Sequence, residues 1–469
     1  MATIPESKSS FSLLDKLQEF KKLIFTNPPN SNFPLWTLSQ EVPPIDPLVF
    51  FSLFRESGQE CFYWENPNKQ EAIVAIGTVK SLTISSINSG QLTRDRFSLC
   101  QDFFENNCFP YFSGINPSPI LPYFLAYFTF FSTCSLDSFP VASIYIPRLL
   151  LTKRHSHYSV SLFSEYQVNN YSIFLDFFQQ EIPDFYSLFP VGEKRSRITI
   201  EDNNPQEFLE KVNRSLEAIR ECKLKKIVVA HGLELKIRGR FNLIRAIDNL
   251  RINHPECYIF ALGNKNNEYF IGASPERILS IRGNNLMSDA LAGSAPRGKT
   301  PDEDYRLGIE LLNSEKDRRE HQAVSDFIFE QLKSLGLRPK KEPLQLLKLS
   351  NIQHLWTPIS AQIERKIKPL EILGKLHPTP AVAGEPIDVA CQEIWEKEKL
   401  ERTLYAAPIG WLDGEGNCDF IVGIRSALIR QNSARLYAGA GIVKGSNPQQ
   451  ELMEIRLKFQ ALLQALIAS

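Results

Sequence analysis

Net charge is the first thing missing from this sequence: over 469 residues, 53 Lys and Arg balance 53 Asp and Glu. Without a basic excess, no nucleic acid and no anionic membrane surface is expected as main partner, since both call for a net positive footprint. A local basic pocket for a small anion stays compatible with neutrality, and a neutral surface fits a monomer or a homodimer. Long apolar runs are missing too. The most apolar stretch, residues 120–133 (ILPYFLAYFTFFST), is shorter than the ~20 residues that a membrane-spanning helix needs. Its aromatic and branched residues, like those of 141–147, read as buried strand. The eight cysteines form no CxxC and no paired Cys/His spacing, which points to free thiols in a reducing cytosol. The opening MATIPESKSSFSLL has no basic region leading into an apolar one, so no signal peptide is expected and the expected location is cytoplasmic.

Familiar catalytic signatures are equally scarce. There is no HExxH, GxSxG or GxCxG, which disfavours nucleophilic hydrolase and glutaminase chemistry. The glycine-rich segment 439–445 (GAGIVKG) matches neither GxGxxG nor GxxxxGK[ST], so it gives a nucleotide site poor support. Low-complexity tracts and short repeats are absent, which removes solenoids.

What is present divides near residue 190. Of the 32 Phe, 24 precede that point, whereas 77 of the 106 charged residues follow it. An aromatic, charge-poor part (1–195) has the character of packed sheet; the rest (200–467) has the charge density of surface helices. The second part alternates helices and strands. A helical stripe covers 205–221, short strands are expected at 226–230 and 233–237, and a hairpin at 258–262 and 269–271. One long helix is expected from 304 to 335, last strands at 420–424 and 434–438, and a final helix at 448–467 with Asn447 as cap and Pro448 in first position. Strands joined by hairpin-length turns with helices outside indicate an α+β architecture.

Several side chains could carry chemistry. Lys226 heads the strand KIVVAH; with Lys223 and Lys225 beside it, a solvated lysine is the default, and a base requires burial. Glu276 follows a strand in GASPER, where it is either a site carboxylate or a turn acid paired with Arg277. Glu451 and Glu454 lie three apart on the last helix and share a face, as a cation site needs, although Glu454 and Lys458 also make an ordinary i, i+4 pair. Gly439 and Gly441 sit between a strand and a helix, where exposed N–H groups can bind a carboxylate. His354 and His377 lie in turn-like contexts, and a lone histidine is more often structural.

The order of these segments is more specific than any one of them. KIVVAH, GASPER, ALAGSAPRG, SEKDRREH, NIQHLW, HPTPAVAGEP, LYAAPIGW, VGIRSALI and YAGAGIVKGSNPQQELMEI resemble, in this succession over about residues 205–465, the chorismate-utilising enzymes. HPTPAVAG with a lysine at 226 is similar to isochorismate synthases within that superfamily, which also includes anthranilate, aminodeoxychorismate and salicylate synthases. The resemblance implies one large α+β unit of two extensive mixed or antiparallel sheets packed together with helices outside. It implies chorismate as substrate and Mg2+ held by Glu320 and Glu454 with Glu451 close by. Lys226 would be the general base toward water and Glu276 the general acid on the departing C4 hydroxyl, while Arg425 and Tyr405 would hold the enolpyruvyl carboxylate. Gly293, Ser294, His354, Gly439, Gly441 and Lys458 would line the remainder. The implied product is isochorismate for menaquinone or phylloquinone synthesis, although siderophore and salicylate routes use the same chemistry. His231 and Ala407 stand where the family commonly has arginine and glycine, and Ser294 where aminating relatives tend to have threonine. The alternatives are a salicylate synthase, which would also eliminate pyruvate, and a silent homologue that binds chorismate without turnover.

Overall fold

The computed structural model describes residues 36–55, 58–85, 95–108, 121–133, 138–164, 198–202, 205–363 and 368–467. The compositional boundary at 192–197 lies outside these residues. Twenty strands among them join in one hydrogen-bonded network, and every ladder is antiparallel. The network has two arms that share the long strand Ala142–Arg154. One edge of that strand holds Glu71–Ile84; the other holds Tyr123–Phe128 at its start and His157–Ser164 at its end.

From Glu71–Ile84 the first arm passes through Cys61–Asn66, Tyr258–Gly263, Glu268–Ser274, Ser426–Arg430 and Ser433–Val443 to Lys226–Ile237. From Tyr123–Phe128 the second passes through Pro408–Asp413, Cys418–Val422, Arg277–Arg282 and Asn285–Pro296 to Ile352–Gln362. Aromatic strands early in the chain thus pair directly with strands late in it. One continuous apolar core takes residues from both arms, which is why strands such as Cys61–Asn66 are buried throughout rather than alternating. The seven cysteines among the described residues are free, and no described helix is long and apolar enough to cross a membrane.

Three local expectations need correction. The strands expected at 226–230 and 233–237 are one strand, Lys226–Ile237, because Ser433–Val443 pairs with it from Lys226↔Val443 to Lys236↔Ser433 without interruption. The helix expected over 304–335 is two, Pro301–Asn313 and Glu315–Ser334. Ser314 takes extended backbone (φ −67°, ψ 113°), and its side chain accepts from the Asp317 N–H to cap the second helix. A strand at Ser426–Arg430 was not expected; it lies between two others and is buried almost throughout, so it carries no alternating pattern. The final helix, Pro448–Ile467, has Asn447 Oδ1 accepting from Gln449 N at 3.0 Å and Gln450 N at 3.3 Å, as its sequence indicates.

Candidate active site

The pairing of Lys226–Ile237 with Ser433–Val443 sets Gly441 opposite Val228 and Gly439 opposite Ala230. Beside this pair lies a cavity lined among others by Glu276, Gly293, Ser294, Glu320, His354, Tyr405, Arg425, Gly439, Gly441, Glu454 and Lys458. Eleven side chains or glycines singled out in the sequence therefore surround one space. Lys226 reaches it through Glu320: its Nζ lies 2.9 Å from Oε1 of that lining carboxylate. The solvated reading of Lys226 fails, since only 2% of its side chain is exposed. Its Nζ has no partner of hydrogen-bonding geometry among the described residues, so the contact is one of charge.

Gly441 has to be glycine for this arrangement. A Cβ there would stand 2.2 Å from Glu320 Oε1 and 3.1 Å from Lys226 Cε. A Cβ on Gly439 would meet the Tyr405 hydroxyl at 2.7 Å. Tyr405 is itself fixed by stacking on Tyr437, with ring centroids 5.3 Å apart.

Glu276 ends the turn after Glu268–Ser274 and is 3% exposed. Burial pushes its carboxyl up to about 8, and the Asp289 charge adds to this while Lys226 and Lys458 oppose it. A carboxylic acid held neutral and, one contact away through Glu320, a buried lysine amine thus offer a proton donor and a candidate proton acceptor.

Arg425 is the cavity's candidate for holding an anion. Its Nη2 lies 2.8 Å from His354 Nε2, while its buried Nη1 has no hydrogen-bond partner among the described residues. Burial, followed by the charges of Arg425 and Lys458, holds His354 well below the ordinary imidazole range. The ring is therefore neutral; because arginine can only donate, Nε2 accepts and the proton sits on Nδ1. That N–H faces Ser294 Oγ at 3.0 Å and the Gly293 carbonyl at 3.3 Å. The free Nη1 suits one oxygen of a carboxylate.

Glu320 and Glu454 both line the cavity, each against a lysine: Glu454 Oε1 is 2.7 Å from Lys458 Nζ, which also donates to the Gly439 carbonyl at 2.8 Å. Glu451 does not line it. Its buried carboxylate accepts from Lys316 Nζ at 2.8 Å and is pushed up by burial and by Glu454. No set of three or more acidic, His or Cys side chains among the described residues is pre-assembled as a cage. Mg2+ ordinarily takes one or two protein carboxylates and completes its shell with water and substrate oxygens. Two hard oxygen donors on one cavity, beside the space left by the missing Gly441 Cβ, fit that requirement.

Sequence reasoning gave no role to Val228, Ala381, Val382, Ile424 or Tyr437, which line the same space. Ala381 and Val382 lie inside HPTPAVAG, so the motif signalled them without saying how. His377 of that motif is instead packed against Phe97 and Phe130, and burial lowers it to about 3. His231, the first departure, sits between the rings of Phe208 and Phe459, and Ala407 is fully buried in the core.

A helix-covered antiparallel sheet network with a buried carboxylic acid and a guanidinium with one nitrogen free among the described residues on its cavity, and a buried lysine one contact away, suits an enzyme for a small carboxylic acid. The chain belongs to the chorismate binding enzyme family, whose model matches residues 22–467. It is 31% identical to isochorismate synthase MenF of Bacillus subtilis over 92% of this chain and 93% of that protein. With the salicylate biosynthesis isochorismate synthase of Pseudomonas aeruginosa it shares 40% identity over 55% of this chain and 54% of that one. The solved structure of the menaquinone-specific isochorismate synthase MenF of Escherichia coli superposes with a TM-score of 0.76, covering 97% of this chain and 100% of that chain at 24% identity. At that identity the likeness is one of fold.

Proposed function

We propose that this chain is an isochorismate synthase, an isomerase that converts chorismate to isochorismate. The observation that carries the reading is the placement of Glu276, held protonated to about 8 by burial, on the same cavity as the Lys226–Glu320 contact. Near-complete coverage of the Bacillus subtilis relative supports it. Lys226 takes a proton from water as its oxygen bonds to ring C2. The ring double bonds shift, the C4–O bond breaks, and Glu276 gives its proton to the departing hydroxyl. One water enters and one leaves, so the reaction is an isomerisation. Arg425 Nη1 and the Tyr405 hydroxyl hold the enolpyruvyl carboxylate, and neutral His354 keeps the guanidinium aimed. Gly293, Ser294, Gly439 and Lys458 line the ring. Mg2+, when bound, supplies positive charge to neutralise and orient the ring carboxylate; Glu320 and Glu454 would hold it, with Glu451 near.

The end-to-end match to MenF, against a partial one to the salicylate biosynthesis enzyme, favours a quinone pathway for the product. Incubation of the purified chain with chorismate and Mg2+, followed by chromatographic identification of products, tests the activity. Isochorismate alone is expected. Salicylate with pyruvate would make it a salicylate synthase, and binding without turnover a silent homologue.

A further inference from the structure

The strand that begins with Lys226 has an incomplete edge. Ser433–Val443 covers one side along its length, whereas the other meets Gly384–Glu385 only at residues 226–227 and Ile198–Asp202 only at 233–237. No described strand covers the stretch between, and a buried polar backbone needs partners there. Three arrive from outside the ladder. Val228 N donates to the Ala383 carbonyl at 2.8 Å, the Val228 carbonyl accepts from Arg402 Nη2 at 2.8 Å, and Ala230 N donates to Glu398 Oε2 at 3.1 Å.

Arg402 joins these elements. Its Nε and Nη2 grip the two oxygens of Glu398 at 2.6 and 2.8 Å, and its Nη1 donates to the Val382 carbonyl at 2.8 Å. Its own carbonyl accepts from Tyr405 N at 2.7 Å, and its guanidinium lies 4.4 Å from the Phe130 ring centroid. Arg402 is 2% exposed. Val228, Val382 and Tyr405 all line the cavity, so the planar group ties two of its walls together by hydrogen bonds and stands 5.9 Å from the Tyr405 ring centroid, while the Arg402 backbone holds Tyr405 N. A lysine ammonium could not meet this spread of acceptors in fixed geometry.

We propose that Arg402, gripped by Glu398, is a positioning residue: it completes the edge of the strand carrying Lys226 and sets that side chain and Tyr405 relative to the substrate. The inference rests on the isochorismate synthase reading.

Arg402→Lys and Glu398→Gln test it, assayed beside the wild type for chorismate turnover, chorismate binding and thermal unfolding. Wild-type turnover checks the reading itself; its absence would sink that reading, while faster amide exchange over 226–232 and 381–385 in the folded variants still reports on the clamp. With both held well below their melting temperatures, kcat should fall roughly 10- to 100-fold while KM and the binding constant change little. Should Arg402→Lys fail to fold, Glu398→Gln decides. Folded variants with kcat within about twofold of wild type, or a loss confined to melting temperature, would overturn the proposal, since a structural role alone predicts that.

Discussion

Lys226 Nζ and Glu320 Oε1 stand 2.9 Å apart, with side chains only 2% and 10% exposed. A pair so far from water is strongly coupled: removing one member leaves the other as an uncompensated buried charge, at a cost of about 3–5 kcal/mol. Stability and catalysis are therefore entangled at this contact, and they separate only when both members are changed.

Lys226→Ala should lose roughly 100-fold or more of its turnover, because the proton acceptor for water is gone, and should also melt at a lower temperature. The double variant Lys226→Ala/Glu320→Ala should recover much of the stability and none of the activity. Measuring melting temperature and kcat on all three proteins checks this. Substantial turnover in either variant lacking the lysine would remove it as the base.

Glu276 gives a pH dependence whose sign is fixed by burial. The folded chain holds its proton to about pH 8, against an ordinary 4.5. Unfolding between these values releases a proton, so the stability linked to it is full below about 4.5 and is lost as pH rises to about 8. The limit is roughly 5 kcal/mol. Glu276→Gln should thus match the wild type in melting temperature near pH 4.5 and exceed it near pH 9, while lacking turnover at both. In the wild type, activity should decline above about pH 8, as the proton for the leaving hydroxyl is lost. A melting temperature for the glutamine variant that tracks wild type at every pH would contradict the buried-acid assignment.

Much of this site was legible in the sequence, and the reason is particular. Gly439, Gly441, Glu451, Glu454 and Lys458 lie within one strand–loop–helix passage, so local spacing already places them together. Lys226, Glu276, Glu320 and Arg425 converge only through strand order, which composition does not encode; the succession of motifs supplied it. Burial of Lys226 was not readable, because Lys223 and Lys225 next to it give the pattern of a solvated strand end. Nor was the role of Arg402. Beyond Glu398, its acceptors are the backbone carbonyls of Val228 and Val382, and carbonyls leave no trace in residue identity. The strand Lys226–Ile237 contains Gly232, a weak strand former, yet pairing with Ser433–Val443 along its length overrides that local signal.

The acidic trio should not respond uniformly. Glu320→Ala and Glu454→Ala each remove a hard oxygen donor from the cavity, and the Mg2+ concentration for half-maximal activity should rise by about tenfold or more. Glu451→Ala should shift it less, because that carboxylate does not line the cavity and lies against Lys316 instead. Mg2+ titrations after EDTA treatment measure all three. Activity indifferent to EDTA in the wild type would dismiss the metal, and equal shifts in the three variants would place Glu451 among the direct ligands.

The two glycines on the strand paired with that of Lys226 offer the sharpest spatial test, because one methyl group is added in each case and its neighbour is known. In Gly441→Ala the new carbon would stand 2.2 Å from Glu320 Oε1 and 3.1 Å from Lys226 Cε, so the carboxylate must move. Turnover should fall roughly 100-fold and the Mg2+ requirement should rise, with a stability loss of about 1–3 kcal/mol from overpacking. In Gly439→Ala the collision is with the Tyr405 hydroxyl at 2.7 Å, on the side assigned to the enolpyruvyl carboxylate. There KM for chorismate should rise, by about tenfold for a lost or bent hydrogen bond to a charged group, while the Mg2+ requirement stays at its wild-type value. Steady-state kinetics at several Mg2+ concentrations separates the two. If both substitutions gave the same profile, the division of the cavity into a cation end near Glu320 and a carboxylate end near Tyr405 would be wrong.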